Sequence, residues 1–154
     1  DSELAFCYLL EQLVLRFGYF EPSLNDVFAL LEEISPKIAE YGTFNFCLSN
    51  GQALFSYATT KLHWIVREYP FTYARLVDID VDIDFSQFTT KEDRVAVITT
   101  EPLTQNEVWT AYQPGEMILF KDGQVIKTAT THVERLAREA ADPSLVRVTK
   151  ADQY

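Results

Sequence analysis

Residues 43–60 read TFNFCLSNGQALFSYATT. This stretch decides the fold class, because here the apolar pattern changes from a helical period to alternation. Phe44, Phe46 and Leu48 precede Asn50-Gly51, and Leu54 to Tyr57 follow it. An Asn-Gly pair between two strand-like runs is the strongest short signal for a two-residue hairpin turn, since both positions then need positive φ.

Upstream of this hairpin the sequence predicts two helices. From Leu4 to Phe17 nearly every turn carries Leu, Phe, Val or Tyr, a pattern suited to a helix buried on more than one side. Asp1 or Ser2 can cap it, and Glu3 falls in the first turn, where the helix dipole favours an anion. Beyond Pro22, Ser23 and Asp26 have capping-box spacing, and Val27, Phe28, Leu31 and Ile34 recur at helical period. Pro36 should kink or end this helix, with Gly42 as a natural stop.

Downstream, strand signals dominate. RLVDIDVDIDF (75–85) alternates strictly, RVAVITT (94–100) reads as a short buried strand, and EMILFKDGQVIKT (116–128) forms a second hairpin at Asp122-Gly123. An amphipathic helix is expected from His132 to Ala141, with Glu134 and Arg138 spaced for a surface ion pair. Asp142-Pro143 should end it, leaving 142–154 as a tail. Without internal repeats or a Gly/Ser linker, residues 1–154 form a single domain. Two helices followed by antiparallel strands is an α+β arrangement with the helices on one face of a sheet.

Bulk composition narrows the function classes. The 154 residues are 47% hydrophobic and 14% aromatic, which suits a compact globule. A formal net charge of −10 repels phosphate backbones, so no nucleic-acid partner is expected. No apolar run is long enough for a bilayer, so the expectation is a cytoplasmic protein with no membrane partner. Cys7 and Cys47 lie in apolar segments without metal-ligand spacing and read as reduced, buried thiols.

Several residues could carry chemistry. Asp78, Asp80, Asp82 and Asp84 would share one strand face, but the ladder fails as a calcium loop, with Ile83 at the turn-glycine position and Thr89 at the bidentate-Glu position. A solvated face or guarded edge is the better account. Cys47 and His63 could form a nucleophile and base, although nothing marks Cys47 as electropositive. His63, Trp64 and Arg67, with Lys61, could orient an anionic substrate or hold a polar turn beneath the sheet. His132 reads as a surface residue. Asn50-Gly51 could supply an oxyanion hole, but the hairpin explains it better. Asp1 could cap the first helix or take the ammonium of an amino-acid ligand.

Three segments together carry a resemblance. DSELAF (1–6), FNFCLSNGQALFSYATTKLHWIVREYPF (44–71) and AVITTEPLTQNEVWTAYQPGEMILFKDGQ (96–124) resemble, in order, the class II glutamine amidotransferase-like proteins of bacteria. The resemblance runs from Asp1 to about Gln124. It implies an N-terminal-nucleophile hydrolase, a four-layer αββα sandwich of which this chain is the latter part. In that family an N-terminal cysteine attacks the side-chain amide of glutamine, forming a thioester as ammonia leaves. The Asp of the D-S-E motif holds the substrate ammonium, which maps to Asp1. The family's nucleophile, substrate-binding Arg and oxyanion Asn-Gly pair lie upstream of that motif. Asn50-Gly51, Cys7 and Cys47 therefore inherit none of these roles. The resemblance implies glutamine and an upstream segment of the same protein as partners, with no catalytic residue, metal or cofactor assigned to residues 1–154. A homo-oligomer, a non-catalytic scaffold on the same fold and an amidohydrolase of γ-glutamyl amides stay open.

Overall fold

The computed structural model describes residues 2–78, 82–87 and 89–145. Helix α1 (Ser2–Phe17) and helix α2 (Leu24–Ala39) come first. The capping box of α2 is complete: Asp26 N–H donates to Ser23 Oγ, and Ser23 N–H donates back to the Asp26 carboxylate, each at 3.2 Å. Val27, Phe28, Leu31 and Ile34 are buried as the period requires. Pro36 does not end α2, which runs on to Ala39. So close to the C-terminus the ring removes one hydrogen bond, while buried Ser35 and Ala39 hold the last turn in place.

Strands β1 (Phe46–Ser49) and β2 (Leu54–Ala58) form the first hairpin, but its loop is longer than the Asn-Gly signal predicts. Ser49 pairs with Leu54, so Asn50 to Ala53 make the turn. The Asn50 side chain explains the difference: its Oδ1 accepts from the N–H groups of Gln52 and Ala53, both at 3.0 Å, closing the turn in place of ladder bonds. The second hairpin, between β8 (Glu116–Lys121) and β9 (Gln124–Thr130), has the expected two-residue turn, with φ +51° at Asp122 and +70° at Gly123.

These four strands make one antiparallel sheet in the order β1-β2-β8-β9. Alternation gives it two apolar faces. Phe55, Tyr57, Met117 and Leu119 turn toward Leu9 of α1 and the buried face of α2. Helix α3 (Glu134–Ala141) closes the same side through Leu136, next to Val133. Ala58, Ile118 and Phe120 turn the other way, onto a second sheet. That sheet, ordered β6-β3-β7, comprises β3 (His63–Glu68), β6 (Arg94–Thr99) and β7 (Thr110–Ala111). Trp64 of β3 meets Phe120 edge-on at 5.8 Å across the interface. The described residues thus form three layers, helices on a sheet on a sheet.

Several expectations need correcting. Strand β3 lies where a polar turn was one reading, because Trp-Ile-Val favours a half-buried pleat. Strand β6 is half-exposed rather than buried, since only Ala96 and Ile98 join the inter-sheet cluster. The run 75–85 is not one strand: β4 (Tyr73–Arg75) pairs back on β5 (Asp82–Asp84), with Arg75 opposite Asp82 and bonded to it at 3.0 Å. Asp80 lies outside the described residues. In α3, Arg138 reaches Glu40 instead of the Glu134 carboxylate, and the pair that forms along the helix is Arg135–Glu139 at 2.7 Å. The interior position of Arg135, between Glu139 and the end of α2, decides this. Pro143–Leu145 adds a short 3-10 turn, and 146–154 lie outside the described residues.

Helix α1 is not covered on more than one side. Leu9 is buried, but Leu4 is 75% and Leu15 71% exposed. One stripe of α1 meets α2 and the sheet, and among the described residues nothing covers the other. Neither cysteine is buried: Cys7 faces outward on α1, and Cys47 sits on an end strand of its sheet.

Candidate functional site

Asp1, the one position in the chain that the resemblance ties to substrate, lies outside the described residues, immediately before α1 at Ser2. The other candidates fall on the two sheets.

Strand alternation divides the His63, Trp64 and Arg67 cluster. Trp64 faces the inter-sheet core, while His63 and Arg67 take the opposite face of β3. His63 Nδ1 donates to the Thr100 carbonyl at 2.9 Å, so that nitrogen carries the proton. Arg67 is already committed. Its Nε and Nη2 donate to the two carboxylate oxygens of Glu107 at 2.7 and 2.6 Å, and its guanidinium lies 5.1 Å from the Phe85 ring centre. The Thr104 hydroxyl donates to the same carboxylate at 2.5 Å, and Trp109 Nε1 donates to the Thr104 oxygen at 2.9 Å. Burial pushes the Glu107 carboxyl up, but the Arg67 and Thr104 hydrogen bonds and the Arg67 charge outweigh it and hold the group below the usual range. Lys61 pairs with Glu101 at 3.1 Å in an exposed position. Arg67 therefore works as a strut between β3 and the segment leading into β7, not as an open cation for a substrate.

A second polar group lies between the sheets. Tyr112 Oη and Ser56 Oγ are 2.6 Å apart, and Ser56 also donates to the Ile118 carbonyl at 3.3 Å. Burial drives the Tyr112 phenol far above its ordinary range, against the lowering effect of Ser56, so it stays protonated. Cys47 is opposite Ser56 on β1. Its residue surface is exposed, yet surrounding protein raises its thiol by desolvation. The two observations differ on enclosure but agree on chemistry, because no cation depresses the thiol. A neutral thiol is a poor nucleophile, and among the described residues no hydrogen bond joins Cys47 to His63.

Asn50, Asp82, Asp84 and His132 have structural partners. Asn50 closes its own turn, Asp82 holds Arg75, and Asp84 accepts from Ser86 N–H and Oγ at 2.9 and 2.6 Å. His132 is exposed, with Nε2 3.4 Å from Glu134. Among the described residues no three His, Cys, Asp or Glu side chains are grouped to hold a metal ion, and no helix is long and apolar enough to cross a membrane. The Glu107–Thr104–Trp109 relay escaped the sequence reading. The aromatic and β-branched WIV run could have revealed β3, but no local signal pairs Arg67 with Glu107.

Comparison with known proteins adds the context. The family model described as glutamine amidotransferases class-II matches residues 1–144. The chain is 44% identical over 124 residues to "Putative glutamine amidotransferase YafJ" of Escherichia coli, covering 80% of this chain and 49% of that protein. A Haemophilus influenzae protein named "Putative glutamine amidotransferase" is 42% identical over 126 residues, covering 82% and 42%. The crystal structure of a "predicted glutamine amidotransferase" from Pseudomonas aeruginosa PA01 superposes with a TM-score of 0.70 at 40% identity, covering 82% of this chain and 50% of that one. The chain spans about half the length of the curated relatives it matches.

Proposed function

The chain belongs to the class II glutamine amidotransferase family, and from that premise we propose that it is part of a domain that hydrolyses the side-chain amide of glutamine to glutamate and ammonia. The carrying observation is the family match across residues 1–144. In this reading a cysteine thiol, supplied by the protein upstream of Asp1, attacks the amide carbon. Ammonia leaves, and water cleaves the thioester to give glutamate. Asp1 receives the substrate ammonium through charge-assisted hydrogen bonds. Residues 1–154 supply structure to the pocket and none of the covalent chemistry.

The three described layers support a four-layer αββα sandwich in the whole protein, the remaining layer lying against the outer face of the β6-β3-β7 sheet. We also propose a cytoplasmic protein whose partners are glutamine and its own upstream segment. Glutamine hydrolysis by the full-length protein, followed as ammonia release, tests the reading. Asp1→Asn should raise KM for glutamine at least tenfold, since losing a charge-assisted bond costs about 1.5–3 kcal/mol, while the melting temperature holds. Equal losses of affinity and stability would reduce Asp1 to a helix cap. Turnover of γ-glutamyl amides but not glutamine would move the protein to an amidohydrolase, and no turnover of either would favour a scaffold.

A further inference from the structure

The outward side of α1 carries a pattern that the fold itself does not use. At about 100° per residue, Leu4, Tyr8, Glu11 and Leu15 fall within roughly 60° of one another. They lie on the side away from Leu9 and Leu13, which face the core. Leu4 is 75% and Leu15 71% exposed, and among the described residues Tyr8 and Glu11 have no polar partner. A single exposed leucine needs no explanation. The spacing of these four does.

Steps of four, three and four residues separate the positions, so the stripe reads the same from either end. Steps of three and four are also the repeat by which two helices meet along a seam. A second α1 laid antiparallel across this one, crossing between Leu9 and Leu10, sets Leu4 against the partner's Leu15 and Tyr8 against the partner's Glu11. The leucines make an apolar contact. The Tyr8 phenol donates to the Glu11 carboxylate, a charge-assisted hydrogen bond. Each pair occurs twice, as a two-fold, self-complementary patch requires.

We propose that α1 is a homodimer interface, in which two copies of the full-length protein pair through the outward stripes of their α1 helices, antiparallel about a two-fold axis. The inference rests on the reading of a four-layer sandwich, in which the layer of α1 and α2 is outermost and its far side is the surface of the domain. Symmetry favours a second copy as the occupant. An unrelated helix needs no palindromic spacing on this one, and it brings no carboxylate matched to Tyr8 or hydroxyl matched to Glu11. The net charge of −10 opposes pairing, but a Debye length of about 8 Å at physiological ionic strength confines the repulsion to groups beside the seam. There each Glu11 faces a phenol. The 16 residues of α1 span about 24 Å, so the contact sits at the low end of specific interfaces, and the dimer should dissociate in the micromolar range.

The test uses the full-length protein in sedimentation equilibrium, which should find a monomer–dimer equilibrium with Kd of about 1–100 µM. Leu15→Glu and Leu4→Lys should each weaken it at least about thirtyfold, because each change enters the interface twice. The monomer's melting temperature should hold, since both side chains are exposed. The double variant Leu4→Lys, Leu15→Glu sets opposite charges face to face and should regain at least about tenfold of the loss. Positions 4 and 15 lie about 16 Å apart along one helix, too far to pair within a chain, so the rescue reports this register. A monomer at about 200 µM, a dimer indifferent to Leu15→Glu, or a double variant no tighter than the weaker single variant overturns the proposal. A photoreactive phenylalanine in place of Tyr8 identifies the occupant. Cross-links to α1 of a second copy support the interface; cross-links to residues upstream of Asp1 or to another protein overturn it. A protein that dimerises in this way yet releases no ammonia from glutamine loses the functional reading and keeps the interface. One that hydrolyses glutamine as a monomer does the reverse.

Discussion

Glu107→Ala in the full-length protein tests the strut joining β3 to the segment before β7. The Arg67 and Glu107 side chains are 17% and 13% exposed and meet through two short parallel hydrogen bonds. Removing the carboxylate strands a guanidinium largely out of water and leaves the Thr104 hydroxyl without its acceptor. Breaking a fully buried pair costs 3–5 kcal/mol; with some water reaching this one, we expect about 2–3 kcal/mol. In urea that is a midpoint about 1–1.5 M lower, taking a slope near 2 kcal/mol per molar. Most of this cost comes from the unpaired charge and not from the pair's net worth. The double variant Arg67→Met, Glu107→Leu should therefore recover to within about 1 kcal/mol of the parent. The pH dependence follows the same pair. Because the folded protein holds the Glu107 carboxyl below its unfolded value, its contribution is present above about pH 4.3 and is lost as pH falls through the lower folded value. Glu107→Gln should flatten that part of the acid limb. Additive losses in the double variant, within about 0.5 kcal/mol, would refute the reasoning.

Two further perturbations probe how the helices and turns are tied down. Arg135 donates to the Ala39 and Gly42 carbonyls at 2.8 and 3.0 Å as well as to Glu139, so Arg135→Ala should cost about 2 kcal/mol in urea unfolding, and Arg135→Lys should recover little because one ammonium cannot span that set. A Cβ at Gly123 would lie 2.5 Å from the Arg94 carbonyl oxygen, at a φ of +70°, so Gly123→Ala should lower the thermal midpoint by an amount equivalent to at least about 1 kcal/mol; an unchanged midpoint would show that the turn can move away from β6.

The parts of the fold legible in advance are those written within a few residues. Ser23 and Asp26 cap α2 from three positions apart, and Asp122-Gly123 makes its turn wherever the flanking strands go. Asn50-Gly51 shows the limit even at this range: the hairpin was readable, but its loop length depended on a side chain bonding its own backbone. The alternation in 75–85 identified β-like residues without showing that β4 and β5 would fold back on each other, because period 2 is the same for one long strand and two short ones. The apolar face of α1 was visible as a helix meant for burial on more than one side; only the packing showed which stripe these residues cover. The site was less legible, since Asp1 rests on resemblance, and the three residues grouped by sequence at β3 part to opposite faces of the strand.

The sequence by itself determined the two helices, the hairpins, the acidic charge, and the family through the ordered segments around DSE, LSNG and PGE. Only the tertiary structure decided that Arg67 belongs to Glu107, 40 residues away, that Ser56 meets Tyr112, and that β1 is an end strand of its sheet among the described residues. Turn, cap and period signals arise from atoms a few bonds apart, so they survive in the linear chain. Ion-pair partners and strand order depend on which segments share a layer, and that is set by burying two apolar sheet faces at once.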